Sequence, residues 1–215
     1  MFPITISPEE ISALPLASFE GEIKVIEAPG EDFENAIRYL RRQRVLGFDT
    51  ETRPTFSADQ PSFGTSLLQL SGGGRAFLFR IKKLGMPAPL CALLSDGRII
   101  KVGAAIHDDV KGLQKYSGFR PRNFVDLQKI GWEYGIRDKS VKKMTAIILG
   151  FKISKAQQLS NWEAEHLTDS QKRYAATDAW VCREMYLRLQ HAEKNPLTPE
   201  QLNPVPANPT TPDNG

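Results

Sequence analysis

Apolar and polar positions change their period several times along the chain, and each change marks an element. Residues 31–43, EDFENAIRYLRRQ, place Phe33, Ile37 and Leu40 near helical spacing, with acids first and bases last, as a helix dipole favours. RVLGFDTE (44–51) then reads as a strand. TSLLQLS (65–71) and RAFLFR (75–80) are two short strands around Gly72-Gly73-Gly74, a predicted hairpin. PAPLCALLSD (87–96) reads as a helix ended by Asp96-Gly97, RIIKVG (98–103) as a buried strand, and HDDVKGLQKY (107–116) opens a helix. NFVDL (123–127) is a last short strand leading into another helix. Beyond it the pattern is helical only. Residues 140–150 start at a Ser cap and end at Gly150; residues 168–194 form one long helix with Thr168 as N-cap and Gln171 at the capping-box position. Five strands, three of them consecutive, followed by alternation with helices, predict an α/β domain with a mixed sheet.

The remaining 21 residues, 195–215, hold six prolines among Asn and Thr and almost no large apolar residue, which predicts a disordered or extended tail. The expected organisation is therefore an N-terminal extension (1–24), one domain (25–194) and a Pro-rich tail (195–215). A chain of 215 residues with 40% hydrophobic residues suits one sizeable core. The net charge of +3 permits a polyanionic partner without demanding one. Cys91 and Cys182 are far apart and outside any C-x-x-C, which argues against a disulfide framework or a zinc site. The chain opens without a basic-then-apolar leader, and no apolar run approaches the ~20 residues that cross a bilayer. These features lead to the expectation of a soluble, reducing, cytoplasmic setting without membrane attachment.

The chemistry concentrates in carboxylates. In VLGFDTET (45–52), alternation puts Asp49 and Glu51 on one strand face and Phe48 and Thr50 on the other. Alone, such a pair is a solvated strand end; with other acids it is half of a metal site. Tyr174 and Asp178, four apart in the long helix, share one face, and the small Ala175 and Ala179 would let that helix approach the sheet closely. Asp108 and Asp109 open a helix that follows a buried strand, where either can serve merely as a cap. Hard divalent cations take oxygen ligands from a few carboxylates and substrate phosphate. Two such ions ~4 Å apart serve in-line phosphoryl displacement, and they would neutralise both like-charge pairs.

FDTE, VGAAIHDDVKGL and YAATDA, in this order, resemble the three motifs of the DEDD superfamily of 3′–5′ exonucleases. The Y-x-x-x-D spacing of Tyr174 and Asp178 is similar to its tyrosine-bearing branch. LSNWEAEHLTDSQKRYAATDA (159–179) is similar to the RNase D and Werner-syndrome-type domains well beyond the acids. The resemblance covers about residues 25–192. It implies a ribonuclease H-like fold, two divalent cations (Mg²⁺ or Mn²⁺) and hydrolysis of a nucleic acid from its 3′ end to nucleoside 5′-monophosphates, with single-stranded DNA or DNA 3′ ends favoured over RNA. Carried over by motif, Asp49, Glu51, Asp109 and Asp178 are the metal-binding acids and Tyr174 orients the water. Counting from Val102-Gly103 selects Asp109 over Asp108. Ala105 stands where proofreading polymerase exonucleases usually carry Asn, which favours the RNase D and Werner side. RNase D enzymes also carry a helical nucleic-acid-binding domain after the exonuclease, where this chain has its Pro-rich stretch.

Candidate phosphate contacts are Lys139, Lys142, Lys143 and Lys155, with Lys152 nearby. Phe63 and Trp162 are candidates for stacking on terminal bases, Trp162 equally for anchoring a loop in the core. The main rival reading is a catalytically silent nucleic-acid-binding module on the same fold. A phosphotransferase using Asp49 as nucleophile fits less well, because such sites typically read D-x-D and position 51 is Glu.

Overall fold

Six strands form one mixed sheet in a computed structural model that describes residues 1–55 and 63–203. In chain order they are β1 (Glu22–Ile26), β2 (Val45–Thr52), β3 (Thr65–Ser71), β4 (Arg75–Arg80), β5 (Ile100–Gly103) and β6 (Phe124–Asp126), arranged as β1-β4-β3-β2-β5-β6. The centre is an antiparallel meander, β2–β3–β4, with the predicted glycine turn between β3 and β4. β1 runs parallel to β4, while β5 and β6 extend the other side parallel to β2.

The sheet thus has one strand more than the five expected. The addition is β1, EIKVI, which spans the expected boundary between residues 24 and 25. It is a five-residue edge strand, mostly solvent-facing, and its partner β4 lies about fifty residues downstream. Its pairing is long-range, so little in its own sequence announces it.

Nine helices flank the sheet among the described residues: α1 (Pro8–Ala13), α2 (Glu31–Leu40), α3 (Ile81–Leu84), α4 (Ala88–Leu94), α5 (His107–Gln114), α6 (Leu127–Ile130), α7 (Val141–Leu149), α8 (Asp169–Gln190) and α9 (Pro199–Leu202). A 3₁₀ turn, Gly131–Tyr134, follows α6. The two sheet faces are covered differently. On one, α2, α4 and α5 pack Phe33, Ile37, Leu40, Leu90, Leu93 and Leu113 against Leu46, Phe48, Leu68, Leu70, Phe77 and Phe79. On the other, α7 and α8 bury Met144, Ile147, Val181 and Met185 against Val45 and Val102, and Ala175 lies against Leu67 and Leu78.

The local signals for the second layer are in place. Ser140 caps α7 by accepting from the Lys143 amide, and Gly150 ends it at φ +78, a left-handed turn that favours glycine. Thr168 and Gln171 form the expected capping box of α8. The N-terminal stretch adds to this side: Thr5 and the Ile6 amide donate to Asp138, Leu16 bridges to Lys152, and Phe19 is buried.

Residues 195–203 depart from the expected extended tail. Asn195 and Leu197 donate backbone hydrogen bonds to Glu133 and Trp132, Leu197 is buried, and Thr198 and Gln201 form a capping box on α9. One large apolar side chain and one capping pair suffice to dock this stretch on the 3₁₀ turn. The rest of the expected tail, 204–215, lies outside the described residues.

Candidate active site

The site is built where β2 ends between the two helical layers. Val45, Gly47, Asp49 and Glu51 face α8, and Leu46, Phe48 and Thr50 face the apolar layer. The pairing of β2 with β3 slips between Glu51 and Thr52, a bulge at the strand end that bends the chain just past the acids.

α8 can deliver its side chains here because its backbone lies directly on β2. A Cβ at Gly47 would fall 1.7 Å from the Ala179 carbonyl oxygen. Only glycine fits there. Ala175, Ala176 and Ala179 are fully buried along the same seam. This close approach brings Asp178 to Asp49 and Glu51: one carboxylate oxygen from each lies within 4.8 Å of the others. Among the described residues, none of these three acids forms an ion pair with Lys or Arg.

Asp109 comes from the opposite layer, in the first turn of α5. Its carboxylate accepts a hydrogen bond from the Thr50 hydroxyl at 2.5 Å. It therefore stands at the edge of the cluster and outside the tight group of three, close enough to act on the charge of Asp49 and Glu51. Its neighbour Asp108 is exposed. The separation follows from topology: Thr50 points to the apolar layer and holds Asp109 on that side. Before α5, the Ala105 backbone sits at φ +57 and its amide donates to Asp126.

Burial and mutual repulsion dominate the electrostatics of these acids. Burial, then Asp178 and Asp109, raise Asp49 well above the usual carboxylate range. Burial and Asp49 push Glu51 up to about 10. Burial pushes Asp178 up to about 7, opposed by the Tyr174 hydroxyl and by Lys155. Burial also raises Asp109, against the Thr50 hydrogen bond. Tyr174 is shifted upward by burial and by Asp178, so it stays a phenol at any ordinary pH. Four carboxylates at one strand end favour protons over charge unless a cation takes the protons' place. The donor set is all oxygen, which suits a hard divalent ion.

The acids open into a cleft of about 280 Å³ lined by Ser140, Lys142, Ser154, Lys155, Gln158 and Tyr174. An adjoining cleft of about 320 Å³ shares Ser154 and Tyr174 and runs along Leu16, Ala17 and Arg173. Lys142 and Lys155 thus face the acids. The other basic candidates are placed elsewhere. Lys143 pairs with Asp138 at 3.0 Å, and Lys152 donates to the Ser12 carbonyl, both holding the N-terminal stretch. Lys139 is exposed outside the cleft lining. Trp162 is wholly buried, its ring 6.0 Å from that of Tyr174, so it backs the tyrosine and offers no face to a base. Phe63 is half-buried beneath the Arg53 guanidinium, 4.5 Å from its centroid. Sequence reasoning passed over Thr50, Ser154 and Gln158, small or neutral polar residues with no signal of their own.

A family model described as 3′–5′ exonuclease matches residues 26–192. The chain belongs to the 3′–5′ exonuclease family. Among relatives in this family, Exonuclease 3′-5′ domain-containing protein 2 of Mus musculus is 33% identical over 195 residues, covering 81% of this chain and 30% of that protein. Ribonuclease D of Gluconacetobacter diazotrophicus is 29% identical over 168 residues, covering 76% of this chain and 42% of the relative. The chain therefore spans less than half the length of both. In structure, the Escherichia coli RNase D, an exoribonuclease involved in structured RNA processing, superposes with a TM-score of 0.67 at 25% identity, covering 77% of this chain and 44% of that one. The family match begins at Ile26, the last residue of β1, and ends just past α8, so it contains every residue of the acid cluster.

Proposed function

We propose that the chain is a metal-dependent 3′–5′ exonuclease acting on single-stranded nucleic acid. The observation that carries this reading is the convergence of Asp49, Glu51 and Asp178 beside Tyr174, in the floor of an open cleft with two lysines on its wall. Asp49, Glu51 and Asp178, with Asp109 at the edge, would hold two divalent cations, Mg²⁺ or Mn²⁺. Bound there, the cations supply charge neutralisation and a more acidic water. Tyr174, held protonated, donates a hydrogen bond that orients the attacking water or the terminal phosphate. Lys142 and Lys155 draw the phosphates in, and the adjoining cleft gives the upstream nucleotides room. In the reaction, water adds to the terminal phosphorus, the bond to the preceding 3′ oxygen breaks, and that oxygen takes a proton. The products are a nucleoside 5′-monophosphate and a strand one residue shorter.

The DNA preference expected from the sequence rests on no residue of this site. Likeness to ribonucleases D supports RNA as the better substrate. The test uses matched 5′-labelled single-stranded DNA and RNA, with and without Mg²⁺ or Mn²⁺, beside an Asp49→Ala, Glu51→Ala variant. A metal-dependent ladder shortening from the 3′ end, faster on RNA and absent in the variant, is expected. A folded protein that yields no ladder on either strand with either metal would leave the silent binding module.

A further inference from the structure

Among the described residues, two buried side chains near the acids have polar atoms without a partner, the indole nitrogen of Trp162 behind Tyr174 and the whole amide of Gln69 beside Asp49. Gln69 is fully buried, and among the described residues neither its amide nitrogen nor its amide oxygen makes a hydrogen bond. Buried side-chain amides are nearly always satisfied, so an orphan requires an explanation. Its place in the sheet supplies one. Gln69 on β3 is the direct cross-strand partner of Asp49 on β2. Directly opposed residues of an antiparallel pair point to the same face with Cβ atoms roughly 5 Å apart, within reach of a glutamine side chain. That face is the α8 seam, where the helix presents Ala175, Ala176 and Ala179 to the sheet. Those alanines offer no side-chain polar group, and the other β3 residues beside Gln69 on this face are Leu67 and Ser71, the latter already donating to Gly72.

We propose that Gln69 is a positioning residue for Asp49, whose side-chain amide donates the hydrogen bond that fixes the Asp49 carboxylate once a divalent cation is held. This rests on the exonuclease reading above. Partners of this kind orient metal ligands, and their loss typically weakens metal affinity about 10- to 100-fold.

The test replaces the amide and keeps the bulk. Gln69→Met and Gln69→Leu are compared with the parent chain by titrating Mn²⁺ against its free-ion electron paramagnetic resonance signal, and by Tm with and without Mn²⁺. Both variants are expected to bind Mn²⁺ at least about tenfold more weakly, with a smaller Mn²⁺-induced rise in Tm and a metal-free Tm equal to or above the parent's. Parent-like Mn²⁺ affinity in both would overturn the proposal. So would a lower metal-free Tm in both, since it would show the amide already bonded without the metal. A parent chain that binds no Mn²⁺, or binds it equally well as Asp49→Ala, would overturn the metal-site reading itself, whereas a binding parent with unaffected variants would overturn only the role of Gln69.

Discussion

The two faces of the sheet are packed on opposite principles. Towards α2, α4 and α5 the strands present Leu46, Phe48, Leu68, Leu70, Phe77 and Phe79, and large side chains fill the space between the layers. Towards α8 the central strand presents Gly47, then Asp49 and Glu51, and the helix answers with alanines. The first face keeps the layers apart with apolar volume. The second brings two backbones together and spends that closeness on holding acids in register. Along β2, the apolar face mainly packs and contributes Asp109 only through Thr50, whereas the α8 face carries the other three acids, so the two faces can be perturbed separately.

The largest effect is expected from the acid face. Asp178→Asn keeps the shape of α8 and removes one carboxylate from the cluster. Loss on the order of 10³-fold in kcat/KM, roughly 4 kcal/mol of barrier, is expected with little change in metal-free Tm. A variant retaining a tenth of parental activity would remove Asp178 from the site. On the apolar face, Phe79→Ala should cost about 3–5 kcal/mol of stability, read by chemical denaturation, and leave Mn²⁺ affinity at the parental value. A change in metal affinity there would dissolve the division between faces. Gly47→Ala should do both: its Cβ meets the Ala179 carbonyl, so about 1–3 kcal/mol of stability is lost as α8 is pushed outward, and activity falls with the displacement of Asp178, on the order of 10²-fold.

A pH series sharpens the contrast. Asp178 and Glu51 are raised to about 7 and about 10 in the folded chain. A raised carboxylate stabilises the fold fully below its unfolded value near 4, and that contribution is lost as pH climbs through the folded value. The metal-free protein should therefore weaken from pH 4 towards 7 and beyond, and the Tm gained on adding Mn²⁺ should grow over the same range. Phe79→Ala should lower this whole curve without changing its shape. A metal-free Tm that rises across this range would refute the assignment. The smallest effect is at the rim: Ala105→Gly relieves a left-handed backbone and should add about 0.5 kcal/mol, visible as a small rise in Tm.

Much of this was legible in the sequence because it is local. Caps at Ser140 and Thr168, the glycine turn between β3 and β4, and the alternation through Asp49 and Glu51 are written in neighbouring residues. What escaped is carried by distant partners. β1 pairs with a strand about fifty residues away, and Leu197 docks on the turn at Trp132. Trp162 resembles an exposed stacking platform until its burial is seen. The splitting of Asp109 from the other three acids is equally invisible, because it follows from Thr50 facing the apolar layer with α5. The helix position of Asp109 was readable; the hydroxyl that holds it was not.

The acids arrive from residues 49–51, 109 and 178, and each reaches the others only through packing of the whole sheet. Read in the direction of synthesis, Asp49 and Glu51 precede Asp178 by some 130 residues. A ribosome-bound chain that has not yet released α8 holds no cluster, however well its first strands have formed. The order of elements therefore sets a delay: the acid cluster closes only after α8 has packed onto β2.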